Sequence, residues 1–238
     1  MPLWTEATLN VLRTNKAPEV LEDLLKAYKH AEVIRIQENT TPAVEKAIRR
    51  FVEETGAMVH HARECPIIWN PKAFQAADLG SLRRTHPGKA GVSPGRLYSW
   101  QPLLHVPSDT HTLVVNTHAV AGYAKTGNDA PGSQDYRDEA AQYHWLTGVA
   151  LLGEWMVEIE RGRYDGVGIG GDFNARMNNF DEWWYPAPLI GPLLREDDKQ
   201  DSIDHILYTR NSRIKVGRRW AVNVNSDHNL HLAGIERA

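Results

Sequence analysis

The sequence predicts an α/β layered sandwich, sheets covered by helices. Two observations carry this: short strand-like runs recur along the whole chain, and amphipathic helical runs are set between them. A third, the absence of any internal repeat, low-complexity segment or linker, makes residues 1–238 a single expected domain.

Residues 8–12 read as a short strand with Asn10 in its middle. From Pro18, the residues Val20, Leu21, Leu24, Leu25 and Tyr28 recur at helical spacing, which buries one face of a helix. Residues 32–38 alternate as a strand whose C-terminal end carries Glu38, where sheets present their chemistry. Pro42 opens a second helix with Val44, Ile48, Phe51 and Val52 on one face and Gly56 as its stop. Strands follow at 57–61 and 65–69. Residues 75–96 mix Gly, Pro, Ser and basic side chains without period and read as a mobile loop bordering the site. Residues 96–104 and 112–118 are strands, and 122–135 is a polar loop. The longest helix spans about 137–161, with Tyr143, Leu146, Ala150, Leu151, Trp155 and Ile159 suited to its sheet-facing side. Residues 167–169 feed Asp172, and 180–186 form an aromatic loop whose rings either stack a base or pack in the core. Residues 202–208 and 213–216 are strands, the second stopped by Gly217, and a last strand follows His228.

Hydrophobic content of 42% and charged content of 24% are those of an ordinary globule, not of a disordered or membrane chain. No run approaches the roughly 20 apolar residues that span a bilayer, and the first residues lack a basic-then-apolar signal, so an intracellular, cytoplasmic protein without a membrane partner is expected. The single Cys65 excludes an internal disulfide and reads as a buried thiol. Lys plus Arg is 27 against 30 Asp plus Glu, a formal charge of −3, so no global positive field gathers polyanions. Charge is nevertheless uneven: Arg83, Arg84, Lys89 and Arg96 fall in one stretch, and Arg210, Arg213, Lys215, Arg218 and Arg219 in another. Either cluster could face phosphates, and either could be a solvated surface.

The chemistry is read outward from Gly171-Asp172-Phe173-Asn174-Ala175. On an extended backbone residues i and i+2 face the same side, so Asp172 and Asn174 share a pocket. A carboxylate there can carry a hard cation or hold a water, and the amide can bond a phosphoryl oxygen. The same residues also read as a tight turn closed by an Asx cap. Polar residues recur at other strand ends: Asn10, Glu38, His118, Asp204, Asp227 and His228. Functional groups collect where strands finish and loops begin.

Taken in order, Leu9-Asn10-Val11, Ile36-Gln37-Glu38, Asn116-Thr117-His118, Gly171-Asp172-Phe173-Asn174-Ala175, Ile203-Asp204-His205-Ile206 and Ser226-Asp227-His228 resemble the endonuclease/exonuclease/phosphatase superfamily. Its members include pancreatic-type deoxyribonuclease, abasic-site endonucleases, inositol polyphosphate 5-phosphatases and neutral sphingomyelinases. The resemblance spans nearly the whole chain and implies a four-layer sandwich, two mixed β-sheets flanked by α-helices, with a divalent metal at one rim. It implies that Glu38, Asn10 and Asp227 bind Mg²⁺, with Mn²⁺ or Ca²⁺ as alternatives for a hard-oxygen ligand set. His228 would be a general base or a phosphate-polarising imidazole held by Asp204, and Asp172 with Asn174 would orient water and phosphate. His118 would serve the leaving-group side with Glu64 orienting it, and Arg96 would contact phosphate. Glu38 is followed by Asn39-Thr40, without the Arg by which pancreatic-type members probe the minor groove.

The expected function is therefore a Mg²⁺-dependent phosphodiester hydrolase, a nuclease with DNA as its partner. The alternatives are a phosphatase or phosphodiesterase of a small soluble phosphoester, such as a nucleotide or sugar phosphate, and a non-catalytic binding module.

Overall fold

The computed structural model of the chain describes residues 2–12, 14–121, 133–177, 186–195 and 202–238. Two sheets of six strands pack face to face. The first contains β1 (Trp4–Asn10), β2 (Val33–Gln37), β3 (Met58–His60), β4 (Ile67–Trp69), β11 (Ile214–Val222) and β12 (Leu230–Arg237), in the order β11-β12-β1-β2-β4-β3. The second contains β5 (Phe74–Ala76), β6 (Ser81–Lys89), β7 (Ser93–His105), β8 (Thr110–His118), β9 (Gly166–Asp172) and β10 (Asp204–Tyr208), in the order β10-β9-β8-β7-β5, with β6 paired to β7. Both sheets are mixed: β1 runs parallel to β2 and β8 parallel to β9, while the other pairs are antiparallel.

Helices α1 (Ala17–Tyr28) and α2 (Pro42–Thr55) cover the outer face of the first sheet, where Val20, Leu24, Ile48 and Phe51 pack on Leu9, Ile34, Ile36 and Leu232. Helix α3 (Ser133–Glu160) covers the second, where Trp145, Leu152 and Trp155 pack on Tyr98, Val115 and Ile169; the short α4 (Pro186–Leu189) adjoins it. The result is the expected four-layer sandwich. The ends of α2 are those read from sequence: the Thr41 hydroxyl accepts from Val44 N–H, and Gly56 takes the left-handed conformation that ends it.

Between the sheets lies an apolar layer of Trp4, Val33, Val114, Ile206, Ile214 and Ile235, with one charged pair inside it. Arg35 of β2 and Glu6 of β1 are both fully buried, Nη1 to Oε2 at 2.8 Å. The remaining donors and acceptors are matched. Trp4 Nε1 and the Tyr208 hydroxyl donate to Glu6 Oε1 at 3.0 and 2.7 Å, and Arg35 donates through Nε to Val115 O (2.9 Å) and through Nη2 to Gly168 O (3.2 Å). An ion pair in a low-dielectric interior offsets its desolvation only when such bonds are made. Two of them reach backbone of the opposite sheet, so the guanidinium fixes how the sheets lie on one another. Room for it comes from Gly170, where a Cβ would meet Arg35 Cδ at 2.8 Å and His205 O at 2.7 Å.

Several elements depart from the sequence reading. Residues 75–96 are not a loop but β5, β6, the turn and the start of β7. Strand β6 is an edge with both faces largely wet, so it shows no apolar alternation, and an edge tolerates Pro87. Strand β1 begins at Trp4, four residues ahead of the expected start at Thr8, because Glu6 is buried by its partner Arg35. Strand β11 continues through Gly217 to Val222, with a bulge between Val216 and Arg219. On α3 the buried face contains His144, Trp145 and Gly148, whereas Tyr143, Leu146 and Ala150 are exposed. His144 is accommodated there by hydrogen bonds to Thr85 and Thr117, each 3.0 Å, so a polar residue sits on the apolar face and masks its phase. The aromatic segment 180–185 and most of the polar loop, 122–132, lie outside the described residues.

Replacing Arg35 by Met is expected to lower the unfolding free energy by about 3–5 kcal/mol, the cost of stranding a buried carboxylate. Urea denaturation checks it; a loss below about 1 kcal/mol would mean the pair does not join the sheets.

Candidate active site

Register alone assembles one rim. His118, the last residue of β8, lies beside Asp172, the last of β9, and Asp172 lies beside Asp204, the first of β10. In the other sheet Asn10 ends β1 beside Gln37, and Glu38 follows directly. The loop before β12 brings His228 to the same edge.

Asp172 is the hub. Its backbone follows Gly171, held at φ 132°, where a Cβ would collide with the Thr117 carbonyl oxygen, so only glycine lets β9 approach β8 this closely. Asp172 Oδ1 accepts the Asn174 N–H at 2.8 Å; this is the Asx turn, with Asn174 at φ 50°. Oδ2 accepts from Asn10 Nδ2 at 3.1 Å and faces two imidazoles, His118 Nε2 at 3.5 Å and His228 Nε2 at 3.9 Å. The turn reading of this motif holds, and the turn aims the carboxylate, while the Asn174 side-chain amide donates to Ala119 O at 3.2 Å.

The two imidazoles differ. His228 Nδ1 meets Asp204 Oδ2 at 2.8 Å. That bond, with the surrounding carboxylates, outweighs desolvation and raises His228 to about 9, so the ring is an imidazolium at neutral pH. His118 Nδ1 lies 3.0 Å from Arg96 Nη1. A guanidinium can only donate, so Nδ1 accepts and the proton of the neutral ring sits on Nε2, toward Asp172. Arg96 Nη1 also donates to Glu64 Oε2 at 2.9 Å, while Glu64 and His118 are 4.0 Å apart. Glu64 therefore acts on His118 through Arg96 rather than directly. Burial and then the charge of Asp204 push Asp172 up, against His228, and burial pushes Glu64 up to about 7, with Glu38 adding to it.

Of the residues expected to hold metal, Asn10 and Glu38 come together, Nδ2 to Oε1 at 3.5 Å, and Asn10 links Glu38 to Asp172. Asp227 is exposed on its loop, where its Oδ1 accepts the Ser226 hydroxyl at 3.3 Å. Asp172, Asp204 and His228 also place ligand atoms within 4.8 Å of one another. An ion bound there would displace the proton that His228 holds in the metal-free site. The Glu38 side also fits a hard cation: the carboxylates of Glu38 and Asp172 flank the Asn10 amide, and Glu64, close enough to feel the charge of Glu38, has its Oε1 buried with no hydrogen-bond partner among the described residues.

Residues not singled out from sequence complete the floor. Gln37 accepts from the Thr8 hydroxyl (3.1 Å) and donates to Asn116 Oδ1 (2.7 Å), whose amide donates to Ile36 O and Pro66 O, tying both sheets directly beneath the rim. His231 Nε2 lies 3.8 Å from Asp204 Oδ2. Amides inside otherwise apolar strands and a second His three residues after His228 were the available signals. The expected basic surface divides: Arg83, Arg84 and Lys89 are exposed, whereas Arg213 and Lys215 meet Asp165 and Glu236 at 3.5 and 3.6 Å.

The architecture is the endonuclease/exonuclease/phosphatase fold. A protein of that family from Bacteroides thetaiotaomicron superposes with a TM-score of 0.68 at 15% identity, over 98% of this chain and 94% of that one. A mannosyl-6-phosphatase from the same organism gives 0.66 at 15% identity, over 98% and 99%. The catalytic domain of human Nocturnin, with bound sulfate, gives 0.66 at 15% identity, over 100% and 94%. No family model and no curated protein sequence matches the chain. No helix among the described residues is long and apolar enough to cross a membrane.

Because the folded pKa of His228 lies above its ordinary 6.5, the stability this ring contributes is complete below about 6.5 and is lost as pH rises toward about 9. In metal-free protein, the stability difference between the wild type and His228→Asn should shrink across that window in denaturation curves. A difference that stays constant would contradict the protonated pair.

Proposed function

We propose that the protein is a divalent-metal-dependent phosphodiesterase that cleaves nucleic acid, with DNA preferred. One observation carries the chemistry: a single buried carboxylate, Asp172, stands between two imidazoles with opposite partners, Asp204 behind His228 and Arg96 behind His118. Ester hydrolysis needs a water made nucleophilic, charge stabilised on the phosphoryl oxygens and help for a poor leaving group. Asp172, its proton affinity raised by burial, accepts the proton of the attacking water as the new P–O bond forms. The His228 imidazolium, held by Asp204, donates to a phosphoryl oxygen. His118 Nε2–H donates to the leaving oxygen as its ester bond breaks, and that oxygen takes its proton from water. Glu38 with Asn10 would hold Mg²⁺, which when bound supplies Lewis-acid stabilisation of the phosphoryl charge. Asn174 sets the aim of Asp172 through its backbone N–H.

The exposed basic hairpin of β6 and β7, which reaches the rim at Arg96, supports a strand-like polyanion as substrate. A second reading, a small soluble phosphoester, is favoured by the net charge of −3 and by the acids that neutralise Arg213 and Lys215.

With Mg²⁺ the protein should nick plasmid DNA, lose activity to a chelator and weaken steeply as salt rises; activity on nucleotides or sugar phosphates that spares plasmid and ignores salt would select the second reading. Replacing His228 or Asp172 by Ala should lower turnover at least about a hundredfold. A loss below about fivefold for both would contradict the roles assigned here.

A further inference from the structure

A cavity of about 280 Å³ opens beside the Glu64–Arg96 pair, lined among others by Asn39, Thr40, Arg63, Glu64, Arg84 and Arg96. Three of these are arginines against one glutamate, and that glutamate is already matched by Arg96. Arg63 and Arg84 are exposed, and among the described residues neither side chain makes an ion pair or a hydrogen bond. Both arginines line this cavity and neither is paired to a carboxylate among the described residues, so a bound anion is the group that would answer their charge.

Both are held there by irregular backbone. Arg63 is a non-glycine residue at φ 49°, a conformation that costs energy and persists only where its surroundings impose it. Its carbonyl accepts from Asn39 Nδ2 at 2.8 Å, and Asn39 N–H in turn donates to Glu64 O at 3.3 Å, which ties the Arg63 turn to the segment carrying Glu38. Arg84 lies at a register shift: it pairs with Leu97, and His86 pairs with Arg96, so Thr85 is the extra residue. Thr85 turns inward to His144, and such a bulge re-aims the neighbouring side chain. Arg96 forms the inner end of the cavity and touches His118, the leaving-group imidazole.

We propose that this cavity is a second anion subsite, in which Arg63 and Arg84 together bind a phosphate other than the one attacked, on the His118 side of the scissile bond. It rests on the phosphoesterase reading and narrows the substrate class to esters bearing a second phosphate. Paired guanidiniums suit that group because each presents parallel N–H donors to two oxygens. The second phosphate is either the next one along a nucleic-acid strand or the far phosphate of a small bisphosphate.

The test is equilibrium binding to the full chain without divalent metal, at low salt, of two probe pairs: a thymidine tetranucleotide against thymidine monophosphate, and fructose 1,6-bisphosphate against fructose 6-phosphate. Wild type and Arg63→Ala/Arg84→Ala are compared. In at least one pair the probe with more phosphates should bind wild type about tenfold more tightly, and the double substitution should remove that advantage without moving the melting temperature. Tightening with the tetranucleotide assigns the subsite to a strand, and tightening with the bisphosphate assigns it to a small molecule. If neither pair shows an advantage that depends on these arginines, the subsite is refuted. Turnover of bis(p-nitrophenyl) phosphate with Mg²⁺, run alongside, should be within about twofold in the double variant. Its absence in wild type would refute the catalytic reading while the binding result still judges the subsite.

Discussion

The molecule depends on the charged pair between its sheets. Arg35 and Glu6 are buried between the sheets, and the guanidinium reaches across to the backbone of β8 and β9. Apolar packing between two twisted sheets tolerates sliding; hydrogen bonds from a rigid planar group to Val115 O and Gly168 O do not. That matters because the rim is built from both sheets. Asn10 and Glu38 belong to one and Asp172, His118 and Asp204 to the other, so the Asn10–Asp172 bond of 3.1 Å exists only in one alignment. Gly170 and Gly171 serve the same end, one clearing space for Arg35 and the other letting β9 meet β8.

Electrostatics at the rim follow from that alignment. Carboxylates from four parts of the chain are buried or half-buried near one another, and the protein answers them with an imidazolium on one side and a guanidinium on the other. Asp204 raises the proton affinity of His228, and Arg96 donates to His118 Nδ1, which turns the Nε2 edge of that ring inward. An asymmetric site of this kind can treat the entering and leaving oxygens of a phosphoester differently, which a pair of identical histidines could not. The polar floor of Gln37 and Asn116 keeps the two halves level.

Much of this was legible in the sequence, and the gaps have physical causes. Strand ends announced themselves through polar residues at the close of apolar runs, so Asn10, Glu38, His118, Asp172, Asp204 and His228 could be gathered before any coordinates. Long-range pairing could not: nothing local says that Arg96 would stand between Glu64 and His118, or that Asp227 would face solvent. Periodicity failed where burial did not follow polarity. Glu6 and Arg35 are charged yet inside, so β1 looked shorter than it is, and His144 is polar yet packed, so periodicity puts Tyr143, Leu146 and Ala150 on the buried face of α3 in error, while Leu151, Trp155 and Ile159 are buried as expected. It failed also at β6, an edge strand with neither face wholly buried, where Pro87 and Gly88 resembled loop punctuation.

The central claim is that two sheets held in one alignment bring acidic and imidazole groups to a shared phosphoryl-and-cation site. A crystal structure grown with Mn²⁺ and inorganic phosphate tests it most directly, since anomalous scattering locates the metal without assumption. The account predicts Mn²⁺ on the Glu38 carboxylate beside Asn10, with the phosphate in reach of both His118 and His228. Metal bound away from Glu38, or phosphate touching neither imidazole, would contradict it.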